Sequence, residues 1–245
     1  NVGMPIVYAI ADDEPYEFFA VELSSFQLHW TYSMSPYASV VLNIAEDHVD
    51  WHGSFERYKA DKARVYEHTQ VACIFNTDHV DTLRMVENAD VIEGARAIGF
   101  SSTEMPAVSM LGLAEDIMVD RAFLKNRYNE AYELAVLEDL APAPGKMPAK
   151  HTVENALAAA ALCRAADIDP KAVGAGLRSF KTGAHRNQLV GYANDIMWVN
   201  DSKATNPHAA NASMSGYPSL VWIAGGLSKG CLLYTSPSPR DRTRS

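Results

Sequence analysis

The segment "LNIAEDHVDWHGSFERYKADKARVY" (42–66) gathers Asp47, His48, Asp50 and His52 at the exit of an apolar run, directly before a helical pattern. Carboxylates and imidazoles at that density suit a metal site or acid–base chemistry. His48 and His52 are four apart, but no HExxH pattern is present, and Trp51 and Gly53 argue against a continuing helix, so a zinc protease finds little support. Magnesium is the better match to the carboxylates, with a histidine as its unusual ligand, because Mg²⁺ prefers oxygen donors and retained waters. The helix that follows has an apolar face of Phe55, Tyr58, Lys62, Val65 and Tyr66, so Lys62 stands where burial favours an apolar residue. Arg57, Lys59 and Arg64 point elsewhere and read as solvated charge. Lys62 has two readings. It can snorkel, with its stem buried and its ammonium in water. Or it can point into the acidic-histidine loop, where partial burial favours the neutral amine. A neutral amine adds CO₂ to give a carbamate, which is anionic and ligates metal through oxygen.

Other stretches carry polar groups at strand ends. In "VELSSFQL" (21–28), Glu22 closes an apolar run and two serines follow. Ligands of open α/β sheets bind outside the carboxyl ends of strands, so Glu22 is a candidate ligand of a metal or its water; a solvated strand-end carboxylate is the alternative. "WVNDSKATNPHAANASM" (198–214) crowds Asp201, Ser202, Lys203, Thr205 and Asn206 into one strand-to-helix junction. "HTVENALAAAAL" (151–162) sets His151 and Asn155 four apart, where an asparagine bonds a base edge or phosphate, or caps its neighbours. "GAHRNQLV" (183–190) places His185 and Arg186 after a linker, where arginine suits a phosphate clamp. "GGLSKG" (225–230) offers Lys229 in a glycine-rich turn, but no GxxxxGK[ST] phosphate loop occurs in the chain.

The elements that must position these groups alternate in type. Apolar runs at 5–11, 18–23, 38–45, 71–76 and 95–100 read as strands, and 109–124 as a hairpin. Helices are expected over 54–69, 79–89, 153–166 and 169–180, the third rich in alanine for close packing. A second hairpin (187–200), a helix after Pro207 and a strand at 219–226 follow. This is an α/β pattern with a mostly parallel sheet and a boundary near Thr182. The regions are then 1–182 and 183–230. The run "CLLYTSPSPRDRTRS" (231–245) lacks periodicity, resembles translated sequencing-adapter sequence, and is set aside as non-native.

Composition narrows the function classes. Of 245 residues, 48% are hydrophobic and 21% charged, as in globular domains, and the net charge of −9 argues against a general binder of nucleic acid or anionic membrane. No apolar run approaches the ~18–20 residues of a membrane span. Cys73, Cys163 and Cys231 are far apart and form neither a metal spacing nor a disulfide framework, which fits a reducing cytoplasm.

Taken in order and at these spacings, "NVGMP", "ELSSFQL", "LNIAEDHVDWHGSFERYKADKARVY", "HTVENALAAAAL", "HRN" and "NDSKATNP" resemble the Mur ligases of peptidoglycan synthesis, over roughly 1–230. "ELSSFQL" with "NDSKATN" is similar to the D-glutamate-adding members rather than to the family at large. The resemblance implies a UDP-binding domain and phosphate loop upstream of Asn1, a central ATPase domain, and a Rossmann-like C-terminal domain cut after "GGLSKG". It implies magnesium held by Glu22, His48 and a carbamylated Lys62. Asn1, Asn155, Arg186, Asp201 and Lys203 are implied to contact ATP, Ser24 and Thr205 the acyl substrate, and Lys229 D-glutamate. Lys62, His48 and Lys203 carry the implied catalytic roles. Thr152 departs from the family's frequent "HN" pair and Asn187 from "HRF", so contacts there differ. The implied activity is ATP-dependent ligation of D-glutamate to UDP-N-acetylmuramoyl-L-alanine through an acyl phosphate, by a cytoplasmic monomer serving cell-wall formation, shape and division. The chain alone, lacking the phosphate loop, is expected to be inactive. A sibling ligase and a non-catalytic binding module are the competing readings.

Overall fold

Apolar runs bounded by turn residues build one six-stranded sheet, hydrogen-bonded in sequence order. Its strands are β1 (Ala38–Val41), β2 (Ala72–Asn76), β3 (Arg96–Phe100), β4 (Met110–Ala114), β5 (Ile117–Asp120) and β6 (Tyr132–Val136). β1 to β4 run parallel, and β5 and β6 add antiparallel neighbours at one edge. Our computed structural model describes residues 4–13, 16–141, 147–204 and 206–225. β2 is buried at every position, as expected of a parallel strand covered on both faces.

The helices are α1 (Ile6–Ile10), α2 (Ser25–His29), α3 (Val49–His52), α4 (Phe55–Ala63), α5 (Val80–Glu87), α6 (Lys150–Ala165), α7 (Pro170–Ser179) and α8 (Pro207–Met214). α6 covers one face of the sheet. Its Ala158, Ala160 and Ala161 carry little side chain, so the helix sits close over Ile74, Ile98, Phe100, Leu111 and Met118. A smaller cluster of Val41, Tyr66, Cys73 and Met85 fills the opposite face, under α5 and the 3₁₀ turn Arg64–Tyr66. Alternation along the strands assigns Ile74 to the first cluster and Cys73 to the second. Tyr66 joins β1 to β2: its hydroxyl donates to the Ile74 carbonyl at 2.7 Å and accepts from the Val41 N–H at 2.9 Å. Burial pushes its phenol well above the ordinary range. α7 lies so close to β6 that a Cβ on Gly174 would collide with the Leu134 carbonyl oxygen.

Beyond the main sheet, β7 (Gln188–Ala193) and β8 (Ile196–Asn200) form a separate hairpin. Its two-residue turn is Asn194–Asp195, both at positive φ, the turn that matches strand twist. No helix among the described residues is long and apolar enough to cross a membrane. Neither Cys73 nor Cys163 is in a disulfide.

Several expected elements differ. The run 5–11 is the short helix α1 with no buried residue, and 18–23 has no regular structure. Among the described residues neither run has a strand beside it, and an apolar run becomes a strand only where a neighbour completes its hydrogen bonds. The strand expected over 38–45 stops at Val41, where pairing with β2 stops. The helix expected over 54–69 tightens after Ala63, which turns Tyr66 into the core. Residues 219–225 form no strand. β6 was not anticipated, nor were α2 and α3.

One buried ion pair fixes α6 to the end of β5. Arg164 Nε donates to Asp120 Oδ2 at 2.9 Å, and neither side chain is exposed. The guanidinium also donates to the carbonyls of Ile168 and Phe123. The other Asp120 oxygen accepts from the N–H groups of Ala122 and Phe123. Removing one partner leaves a buried charge uncompensated. Arg164→Leu is expected to destabilise the fold by about 3–5 kcal/mol in urea unfolding; a loss below about 1 kcal/mol would equate the pair with an exposed one.

Candidate active site

The carboxyl ends of β1, β2 and β3 share one edge of the sheet because these strands are parallel. The loops leaving that edge carry the polar groups. After β1 the chain reaches Asp47 and His48. His48 adopts a left-handed conformation (φ 53°, ψ 26°) and begins α3. Its N–H donates to Asp47 Oδ1 at 2.9 Å, and its Nε2 lies 3.7 Å from Asp47 Oδ2. Gly53, also at positive φ, ends α3 after a single turn. Ser54 then caps α4 by accepting from the Arg57 N–H.

α4 delivers Lys62 to this loop. Burial pushes the Lys62 ammonium below its ordinary pKa, while the carboxylates of Glu22 and Asp47 oppose that shift without cancelling it. The lysine is half-buried, and the charges of Glu22 and Asp47 act on it. Its neighbours behave differently. Lys59 pairs with Glu56 at 2.9 Å and Asp81 at 3.5 Å. Arg64, expected to be solvated, instead donates to the carbonyls of His29 and Thr31 and lies over the Tyr32 ring.

Glu22 sits on the extended approach to α2. Ser24 caps that helix: its hydroxyl accepts from the Gln27 N–H at 3.3 Å and donates to Gln27 Oε1 at 2.9 Å. Glu22 and Asp47 thus act on Lys62, and Asp47 lies beside His48. No three His, Cys, Asp or Glu side chains among the described residues form a metal cluster.

The next loops along the same edge hold a second polar cluster. Asp78, just after β2, accepts from Ser101 and Thr103 hydroxyls at 2.8 and 2.9 Å and lies 3.5 Å from Lys150 Nζ. Burial raises its carboxyl pKa, but those hydrogen bonds and Lys150 lower it further, leaving it below the usual range. Lys150 opens α6, which presents His151, with a buried Nδ1 that has no partner, and the exposed Asn155 one turn on.

The residues flanking the β7–β8 hairpin contribute a third group. Asp201 Oδ1 accepts from the Asn187 N–H at 2.9 Å, and the Lys203 N–H donates to the His185 carbonyl at 3.1 Å. This brings 185–187 against 201–203, with the side chains of Arg186 and Lys203 exposed. Asn206 caps α8 and donates to Asp47 Oδ2 at 3.2 Å, so this region touches the His48 loop. Asn1, Thr205 and Lys229 lie outside the described residues.

Sequence reasoning did not assign roles to Asp47, Asp61, Ser25, His29 or the Asp78 cluster. The adjacent acid–histidine pair signals Asp47. Nothing local signals Asp61, whose partners come from two other helices. A cavity of about 400 Å³ lined in part by Thr31, Tyr32, Asp61 and Arg64 contains none of the anticipated residues.

Comparison with known proteins bears on this arrangement. The family model described as Mur ligase middle domain matches residues 1–163. The chain is 50% identical over 235 residues to the UDP-N-acetylmuramoylalanine–D-glutamate ligase of Leifsonia xyli subsp. xyli, covering 94% of this chain and 45% of that protein. It is 50% identical over 230 residues to the protein of the same name from Streptomyces avermitilis, covering 94% and 48%. The chain thus spans about half the length of these relatives. Among solved structures, a UDP-N-acetylmuramoyl-L-alanyl-D-glutamate–2,6-diaminopimelate ligase aligns with a TM-score of 0.52 at 18% identity, over 76% of this chain and 37% of that one. The MurF ligase from Thermotoga maritima in complex with ADP aligns with a TM-score of 0.50 at 16% identity, over 74% and 39%. At these identities the structural likeness is one of fold.

Proposed function

This chain belongs to the Mur ligase family, and on that premise we propose that the full-length protein carrying it joins D-glutamate to UDP-N-acetylmuramoyl-L-alanine in peptidoglycan synthesis, with ATP converted to ADP and phosphate. The substrate assignment is supported by relatives named for that reaction at 50% identity. The observation that carries the chemistry is Lys62, half-buried, with its amine biased toward the neutral form and the charges of Glu22 and Asp47 acting on it.

A neutral Lys62 Nζ attacks the carbon of CO₂: the N–C bond forms, one C=O π pair moves onto oxygen, and the nitrogen gives up a proton to solvent, leaving a carbamate anion. That carbamate, Glu22 and His48 would hold magnesium. Bound there, magnesium would neutralise the meeting anions and polarise the phosphoryl group. The L-alanyl carboxylate attacks the γ-phosphorus of ATP, the bond to the β-phosphate oxygen breaks, and ADP leaves an acyl phosphate. The amine of D-glutamate attacks the acyl carbon and loses a proton as phosphate departs.

The remaining residues bind and orient. Residues 1–182 are assigned to the central ATP-binding domain and 183–230 to the C-terminal one. Asn1, Asn155, Arg186, Asp201 and Lys203 are assigned to the nucleotide. Ser24, Thr205 and Lys229 are assigned to the acyl and amino-acid substrates; the Ser24 hydroxyl would exchange its Gln27 bond for the substrate. Holding several anions together requires cations, and Arg186, Lys203 and Lys229 supply them. The 245-residue chain has no GxxxxGK[ST] loop, and mixed alone with ATP, D-glutamate and UDP-N-acetylmuramoyl-L-alanine it is expected to release no ADP above background.

In the full-length enzyme, Lys62→Ala should lose most activity, and acetate should restore part of it by returning carboxylate oxygens to the site. A mutant nearly as active as wild type would remove the carbamate from the mechanism.

Lys203 is exposed here and should act when the two regions close over substrate and exclude water. Lys203→Ala is expected to lower kcat by about 10²-fold or more, with little change in ATP binding when the other substrates are absent. Unchanged kcat with sharply weaker ATP binding would place Lys203 in ground-state nucleotide binding instead.

A further inference from the structure

A buried hydrogen-bonded chain runs beside the proposed cation site and belongs to no step of the chemistry above. Ser25 Oγ lies 3.0 Å from His52 Nε2, and His52 Nδ1 lies 2.7 Å from Asp61 Oδ2. Asp61 also takes His29 Nδ1 at 2.9 Å. Ser25, His52 and Asp61 are 3%, 5% and 8% exposed. A carboxylate only accepts, so His52 Nδ1–H donates to Asp61, and in the neutral ring Nε2 accepts from the Ser25 hydroxyl. The order serine, histidine, aspartate matches that of a hydrolytic triad. Here it is not one: the serine hydroxyl is sealed from any substrate.

The position of the chain gives it another role. Its three members stand on three different helices, and each adjoins a residue assigned to the site. Ser25 follows Ser24 and lies one turn of chain from Glu22. His52 ends the single turn of α3 that His48 begins. Asp61 immediately precedes Lys62. Phe26 fills the space between, with its ring 4.9 Å from that of His48 and stacked at 5.5 Å on that of His52. Helices of one or two turns do not hold their own geometry in water. Something must fix the mutual placement of α2, α3 and α4, and the imidazole bridges all three.

We propose that His52 is a positioning residue of the cation and carbamate site: through Ser25 and Asp61 it sets the spacing of Glu22, His48 and Lys62. This inference rests on the reading of Lys62, Glu22 and His48 given above. Outer partners that orient the groups holding a metal typically contribute 10- to 100-fold in affinity.

The test uses the full-length enzyme with Mn²⁺ as the probe, its affinity measured by electron paramagnetic resonance. The Lys62 carbamate is followed by ¹³C NMR in ¹³C-bicarbonate. His52→Ala should weaken Mn²⁺ binding by about 10- to 100-fold, diminish the carbamate signal, and lower kcat with KM for ATP near wild type. His52→Asn, whose amide can still donate to Asp61, should recover a substantial part of all three. Tyr66→Phe, which removes a core hydroxyl elsewhere, serves as the control for lost stability and should leave Mn²⁺ affinity unchanged. Ser25→Ala, which breaks only the outer hydrogen bond, should act in the same direction less strongly and keeps the test decisive if His52→Ala does not fold. Wild-type Mn²⁺ affinity in both His52→Ala and Ser25→Ala, while Lys62→Ala abolishes binding, overturns this inference alone. Equal losses in Tyr66→Phe overturn it as well, since the effect is then general destabilisation. Wild-type Mn²⁺ affinity in Lys62→Ala overturns the underlying site assignment.

Discussion

The close approach of α6 to the parallel strands is the constraint on which the other elements depend. A helix can lie that near a sheet only where its inward side chains are small, and Ala158, Ala160 and Ala161 meet that condition over Ile74 and Ile98. With the helix there, its first residue, Lys150, comes against Asp78 at the end of β2. Its last turn brings Arg164 to Asp120 at the end of β5. The two ion pairs differ in kind. The buried Arg164–Asp120 pair is expensive to break and sets the helix in place. The half-exposed Lys150 contributes little stability, and its place beside Asp78 and His151 makes it part of the polar edge instead.

That edge concentrates acid in a chain already carrying a net charge of −9. Asp47 is shared: it lies beside His48, acts on Lys62, and accepts from Asn206. Glu22 acts on the same lysine. The ammonium form of Lys62 is favoured by these charges and disfavoured by burial, and burial prevails. Converting the Lys62 amine to an anion would put three negative groups together, which is stable only with a cation between them. The local electrostatics and the proposed magnesium site are consistent with each other for this reason.

How much of this was legible in the sequence depended on the range of the interaction. Lys62 was legible because a helix repeats every 3.6 residues and a charge on its apolar face breaks the pattern. β2, β3, both hairpins, α5, α6 and α7 were legible from periodicity and the polar residues between apolar runs. The runs at 5–11 and 18–23 were misread because strand formation depends on a neighbour, not on the run itself. α2 and α3 were missed because each is barely more than a turn. α2 depends on a Ser24–Gln27 capping box, and α3 on left-handed residues at both ends. The Ser25–His52–Asp61 chain was illegible for a stronger reason. Its members are 27 and 9 residues apart, and only the packing of three helices makes them partners.

The contact between the two assigned regions bears on how the site would work. Asn206 to Asp47 is a single side-chain hydrogen bond at 3.2 Å between partly buried groups. Such a bond contributes about 1 kcal/mol net, and α8 also packs beside α6. Lys203 lies three residues before Asn206 and projects into solvent, where a charge is screened over roughly 10 Å at ordinary ionic strength. Bringing the same ammonium into a dry interface multiplies its interaction with phosphate several-fold. On the proposed function, Lys203 beside this contact would be placed to act when the site closes. An open form would then avoid the desolvation cost, and the charge would gain its strength only with the proposed nucleotide and acyl substrate both present to meet it.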